Sequence, residues 1–352
     1  VTWALDSPSP DDTELGIGIV AHLAYEASAA VASGIGAWAV RAVPHLDQST
    51  PSRRSAVLGA AAYHTHQALG DFMGGRELAQ LGAAEGVVEL AGTVPTLAHT
   101  TLAMSYMTAG QSEDMRRVVA DFLRSLDDLN ENGYARSALH SAFATMLRTV
   151  GDVTSARTEA EAGMAFARRV QNPTCLTLAS FALGWAQTND NPDEALAALD
   201  ESIALTRAGA LDGAYGAALC LAALLRARRG EARPAVEELL EAVNYSHEVG
   251  DRTNFSNAVN RGSEILGRLG HDELAAVLTG IVTGQFLDTS TVYQLFGRER
   301  EEHEAVDAQV RATLGIDAYE AAIARGAAMT YGEMVVYLRH ELKQILAALD
   351  GG

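Results

Sequence analysis

Lysine is nearly missing from this chain: Lys343 is the only one among 26 basic residues. With no lysine behind a glycine-rich turn, a GxxxxGK[ST] phosphate loop is excluded, and no basic recognition helix is present. Cysteine is equally scarce. Cys175 and Cys220 stand alone inside apolar helical stretches, which rules out a disulfide framework and points to buried thiols in a reducing compartment, the cytosol. Positive charge is short throughout, 26 Lys+Arg against 45 Asp+Glu for a net charge of −19. Such a surface repels a phosphate backbone, so direct nucleic-acid binding is not expected.

The start of the chain also lacks what a secretory signal requires. Val1 is followed by Asp6, Asp11, Asp12 and Glu14 where positive charge would be needed, and a start without Met reads as a segment of a longer polypeptide. Residues 15–43 are apolar, but His22, Glu26, Gly34, Gly36 and Arg41 interrupt them. A buried helix pair is therefore expected rather than a membrane span.

What is abundant is rhythm. Turn markers recur at Gly70, Gly110, Gly151, Asp190, Gly230 and Gly270, with gaps of 40, 41, 39, 40 and 40 residues. Between them lie Ala- and Leu-rich stretches with helical spacing and almost no β-branched alternation. Each unit reads as two helices and a turn, and the repeat as an all-α solenoid, an α-α superhelix of about seven hairpins. The array is expected over 1–284, with a continuous helical cap over 285–352.

Counted from each marker, positions −12, −8 and −5 place Leu58, Leu102, Phe143, Ala182, Leu225 and their equivalents on one helical face, the predicted core. Position −7 is mostly small. Positions +5 and +12 are small as well, from Gly75 and Gly82 to Ala235 and Ala242, with Met115 and Phe122 as exceptions. Small residues on both helices fix a tight crossing, and glycine suits the left-handed residue that ends a helix. At Asp190-Asn191-Pro192-Asp193-Glu194, Asn191 is placed to cap a helix that Pro192 opens.

Small residues around a turn, as in Leu183-Gly184-Trp185 through Ala195, resemble tetratricopeptide repeats over residues 14–284, with a period of 40 instead of 34. Trp3-Ala4-Leu5 with the acidic stretch after it, and a tail of Leu314-Gly315, Tyr319, Ala322, Gly326, Met329 and Glu333, are similar to the flanks of such arrays in bacterial signal-transduction ATPase regulators of LuxR-type or adenylate-cyclase-linked kind. The resemblance implies a non-catalytic sensor or protein-interaction domain that restrains an upstream ATPase switch. Its ligand would be a peptide, a protein partner or a small inducer, and no cofactor is implied.

In such an array the first helix of each pair lines a concave groove, at positions resembling −10, −6, −3 and −2. The candidate contacts are His64, Gln67, Met104, Met107, Ser141, Thr145, Arg148, Ser180, Gln187, Arg228 and Arg268. Small polar groups and adaptable Met suit a peptide backbone or partner helix. No catalytic motif competes. His340-Glu341-Leu342-Lys343-Gln344 misses the second histidine of a zinc motif, and His64 and His66 point ~200° apart on a helix. The acidic runs Glu237-Glu238-Glu241 and Glu301-Glu302-Glu304 read as solvated outer faces. Residues 285–300, with Phe286, Tyr293 and Phe296, read as a cap. A Thr330–Glu333 capping box precedes the stripe Met334, Leu338, Leu342, Ile345 and Leu349, which seals the last hairpin or pairs with another chain. Two other classes stay open: a toroid-type helical-repeat enzyme, and a passive scaffold or homodimer module.

Overall fold

In a computed structural model the described residues are 1–29, 34–86, 88–90, 94–127, 133–211, 213–285 and 298–351. They form helices throughout, with no extended sheet among them. Phe286, Tyr293 and Phe296 lie outside the described residues. The helices fall into two compact units, one of residues 1–183 with 208–213, the other of residues 184–207 with 214–352.

The first unit opens with short helices, α1 Thr2–Asp6, α2 Pro10–His22, α3 Glu26–Ala29 and α4 Ile35–Ala42. The stretch that raised a membrane question is thus broken into helices that bury Ile17, Val20, Ile35 and Ala39 in one core with Val57 and Ala61. No described helix is long and apolar enough to cross a membrane. Regular hairpins follow: α5 Pro51–Gln67 with α6 Phe72–Ala84, α7 Leu97–Thr108 with α8 Ser112–Ser125, and α9 Tyr134–Thr149 with α10 Val153–Val170. α11 spans Pro173–Gln187 and the boundary between the units falls within it.

In the second unit α12 Pro192–Arg207 precedes the hairpins α13 Tyr215–Arg228 with α14 Ala232–Glu248 and α15 Arg252–Arg268 with α16 Asp272–Gln285. Three more helices complete it: α17 Arg298–Leu314, α18 Ile316–Ala327 and α19 Tyr331–Gly351.

The forty-residue rhythm rests on local chemistry. Gly110, Gly151, Gly230 and Gly270 all take positive φ, between 72° and 83°. The residue after each donates its N–H to a carbonyl five positions back, as Gln111 does to Tyr106 at 2.8 Å and His271 to Leu266 at 2.9 Å, so the last helical carbonyls are satisfied. Asp190 differs, since Gln171 is the only described non-glycine residue with positive φ. That turn closes instead by Asn191 N–H donating to the Gln187 carbonyl at 2.9 Å, and Pro192 opens α12 as its spacing predicts.

Packing follows the predicted faces. Leu58, Leu102, Phe143, Ala182, Ala222, Leu225 and Ile265 are buried, as are Met115, Ala156, Ala195, Ala235 and Ala275 at +5. A Cβ on Gly75 would stand 2.7 Å from the His66 Cβ, and one on Gly82 2.9 Å from the Ala98 Cβ. Those distances leave no room for a methyl group, which is why these positions are small. Phe122 fits at +12 because its ring stacks on His99, centroids 3.8 Å apart and planes 5° apart.

The C-terminal helices belong to the second unit and fold back on it. α18 packs on α16 where a Cβ at Gly326 would lie 2.0 Å from the Val277 carbonyl oxygen and one at Gly280 2.2 Å from that of Ile323. α19 packs on α14, with Arg339 donating to Asn244 at 2.6 Å and the ring of Tyr331 edge-on to Phe255 at 5.0 Å. Its capping box forms, Glu333 accepting from Thr330 N–H at 2.8 Å. Met334, Leu338, Leu342 and Ile345 are buried, while Leu349 at the end of the stripe is 42% exposed.

Candidate functional site

The first helices of the hairpins end on a repeating position two residues before the turn. In the second unit that position is Thr188, Arg228 and Arg268, and all three line one pocket of about 550 Å³. Arg229 and Glu302 add charge to its wall, the exposed Pro192 and Ala305 supply apolar surface above the buried Leu225 and Val306, and Asn189 and Gln309 supply neutral polar groups. Mixed walls of this kind and size are typical of small-molecule sites.

Behind the wall lies a buried ion cluster. The Glu264 side chain is 1% exposed and its Oε1 accepts from Arg268 Nε at 2.9 Å, with Arg228 Nη2 3.5 Å away. The same Arg228 nitrogen is 2.6 Å from Glu302, and Arg268 reaches Glu302 at 3.5 Å. His303 Nδ1 stands 3.9 Å from the second Glu264 oxygen, an ion-pair distance beyond hydrogen-bond reach. Burial works against ionisation of Glu264, yet His303 and the guanidinium charges of Arg228, Arg261 and Arg268 prevail and hold its pKa at about 2. Arg261 in turn reaches the buried Glu299 at 3.3 Å.

α17 makes this arrangement. Glu302, Val306 and Val310 are spaced by four and so share a stripe, and a Cβ on Gly267 would be 2.6 Å from Val306 and 3.0 Å from Val310. Gly267 is a −3 position and Glu264 a −6 position, so α17 lies on the face expected to be an open groove. The acidic run at 301–304 is accordingly not a plain outer face: Glu302 turns inward to the two arginines. Glu238 departs from the same expectation. It meets Arg226 at 2.9 Å, and burial pushes its pKa up to about 7 against that charge.

The structure brings Arg228 and Arg268 together and places the other expected contacts elsewhere. Gln187 is buried on α11. In the first unit the half-buried His64 is covered by α4, where a Cβ on Gly36 would stand 2.6 Å from the His64 Cβ. Gln67 donates to the Met104 sulfur at 3.0 Å, and Met104 is buried while Met107 is half-buried. Thr145 bonds within its own helix, to the Ala142 carbonyl at 2.7 Å. Ser141, Arg148 and Ser180 are buried, Ser141 against the close approach of Gly163. Position −10 thus belongs to packing, because a first helix touches its own partner and its neighbours and is covered over most of its circumference.

Glu302, Val306 and Gln309 lie outside the repeat, so counting positions from the turn markers does not reach them. The four-residue spacing of Glu302, Val306 and Val310 was the available signal. Among the described residues no cluster of three or more His, Cys, Asp or Glu could hold a metal ion.

No protein-family model matches the chain, and no curated protein matches it. A solved structure is similar in fold: a Signal Transduction ATPase with Numerous Domains (STAND) protein with a tetratricopeptide repeat sensor, from Pyrococcus horikoshii, at TM-score 0.56 and 14% identity. The match covers 98% of this chain and 53% of that one, so this chain spans about half the length of the solved protein. The fold is an all-α array of helical hairpins of the tetratricopeptide-repeat kind.

Proposed function

We propose that this chain is the non-catalytic sensor region of a cytosolic signalling regulator, one that receives a protein, peptide or small inducer and restrains a nucleotide-hydrolysing switch in the same polypeptide. The observation that carries the reading is the likeness in fold, over nearly the whole chain, to a STAND protein with a repeat sensor. The arginine-lined pocket supports it further, because it gathers one residue per repeat, Thr188, Arg228 and Arg268, into a cavity of ligand size. Control of transcription or of cyclic-nucleotide synthesis is the output that the sequence resemblance adds.

The test is made in the full-length polypeptide. A phosphate-binding ATPase module is expected in frame with this chain, and deleting residues 1–352 is expected to change its nucleotide hydrolysis severalfold. A reading frame without such a module overturns the signalling-ATPase assignment, and unchanged hydrolysis overturns the restraint.

A further inference from the structure

The two carboxylates held by Arg228 and Arg268 are not equivalent. Glu264 is sealed at 1% exposure, while Glu302 on the pocket wall keeps 22% of its side chain accessible. Glu264 is structural, since without it Arg228, Arg261 and Arg268 would be left with only Glu299 and Glu302 between them. The partly accessible Glu302, unlike the sealed Glu264, is placed to exchange its position on the arginines for another carboxylate. Its departure opens a guanidinium seat already shaped for a planar carboxylate, because Arg presents its donors as a flat fork.

Charge narrows the occupant. A ligand carboxylate in that seat keeps one carboxylate beside Arg228 and Arg268 in place of Glu302, whereas a neutral ligand would leave both with Glu264 alone. A phosphate dianion would add negative charge beside Glu264 and Asp193, which already pairs with Arg229. The exposed Pro192 and Ala305 offer the rest of the molecule apolar surface, and the exposed Gln309 can hydrogen-bond it.

We propose that the pocket binds a small organic acid whose carboxylate takes the Glu302 seat on Arg228 and Arg268, Glu302 being the internal stand-in for that ligand. This names the ligand class of the sensor reading above and rests on it for biological meaning alone.

The whole chain is titrated calorimetrically, at constant ionic strength, with acetate, hexanoate and 3-phenylpropionate, and with 3-phenylpropionamide and 3-phenylpropyl phosphate as comparators. The acids are expected to bind, 3-phenylpropionate most tightly, with the amide and the phosphate weaker. Glu302→Gln removes the competing carboxylate and is expected to tighten 3-phenylpropionate about tenfold. Should that variant unfold by circular dichroism, the acid-against-amide difference in the unaltered chain decides alone. The proposal is overturned if no acid binds at millimolar concentration, if the amide binds as well as the acid, if the phosphate binds more tightly, or if folded Glu302→Gln binds the acid no better. None of these readouts involves nucleotide hydrolysis, so failure here leaves the sensor reading standing, and failure of that reading leaves the acid site.

Discussion

Two histidines of the first unit and the carboxylates of the second show two ways of burying a polar group. In the first, His66 and His99 are taken inside as neutral rings against Phe72 and Phe122, and burial lowers both pKa values to about 4. Both ring nitrogens of His66 and Nδ1 of His99 have no hydrogen-bond partner among the described residues, so burial there carries a desolvation cost. The second unit instead buries charges in opposed sets: Glu264 among arginines, Arg261 with Glu299, and Arg226 with Glu238. A buried neutral ring is proton-sensitive, while an ion cluster resists acid but tolerates no missing member.

Removing a member should therefore have the largest effect. Glu264→Gln leaves three guanidinium groups sharing only Glu299 and Glu302 and is expected to cost ~3–5 kcal/mol, read by urea unfolding at neutral pH with hydrogen exchange following α15. A loss no greater than that of an average surface change would show that the cluster is solvated and the contrast false.

Next in size are the close helix crossings. Gly326→Ala puts a methyl group 2.0 Å from the Val277 carbonyl oxygen, a backbone atom that cannot rotate away. It is expected to destabilise by ~2–3 kcal/mol and to unseat α18. Gly82→Ala, facing the Cβ atoms of Ala98 and Leu58 at 2.9 and 3.1 Å, should cost ~1 kcal/mol. Equal losses would mean that backbone and side-chain contacts yield alike.

Acid should separate the units by region. His66 and His99 have folded pKa values below the ordinary 6.5, so the unfolded chain binds their protons first. The stability they contribute is present above 6.5 and is lost as pH falls toward 4, by up to ~3 kcal/mol each. Glu264 is depressed from 4.5 to about 2, so its contribution is lost only below 4.5. Glu238, raised to about 7, has the opposite sign and favours the fold as pH falls from 7 to 4.5. Hydrogen exchange at pH 5 is expected to loosen α5 and α7 before α13 and α15. The reverse order would sink the comparison.

The smallest effect concerns helix starts. Asp152 accepts from Ser155 N–H at 3.1 Å and from Arg116 at 2.5 Å, and Asp152→Ala should cost ~1 kcal/mol in thermal unfolding. Glu231 holds the matching place before α14 with no side-chain cap bond, so Glu231→Ala should be near neutral.

The hairpins are legible in the sequence because their causes are local. Glycine at a left-handed turn, Pro192 at a first helical position, Thr330 with Glu333 and small residues at +5 and +12 each act within a turn or at one crossing. Position −2 leads to the pocket through Arg228 and Arg268, whereas Ser141, Arg148, Ser180 and Gln187 are buried, because a pattern of spacing does not say how many neighbours a helix has. Glu302 and Glu238 looked like surface charge, since acidic residues in a run carry no mark of the arginine that faces one of them.

The period, the helical class and the turn chemistry are set by the order of residues alone, because each depends on contacts within one hairpin. Tertiary structure decided where α17 lies and which charges are sealed. Glu302 meets Arg268 across 34 residues and Glu299 meets Arg261 across 38, and whether a carboxylate so placed is solvated or buried depends on the helix laid over it, not on the residues beside it in the chain.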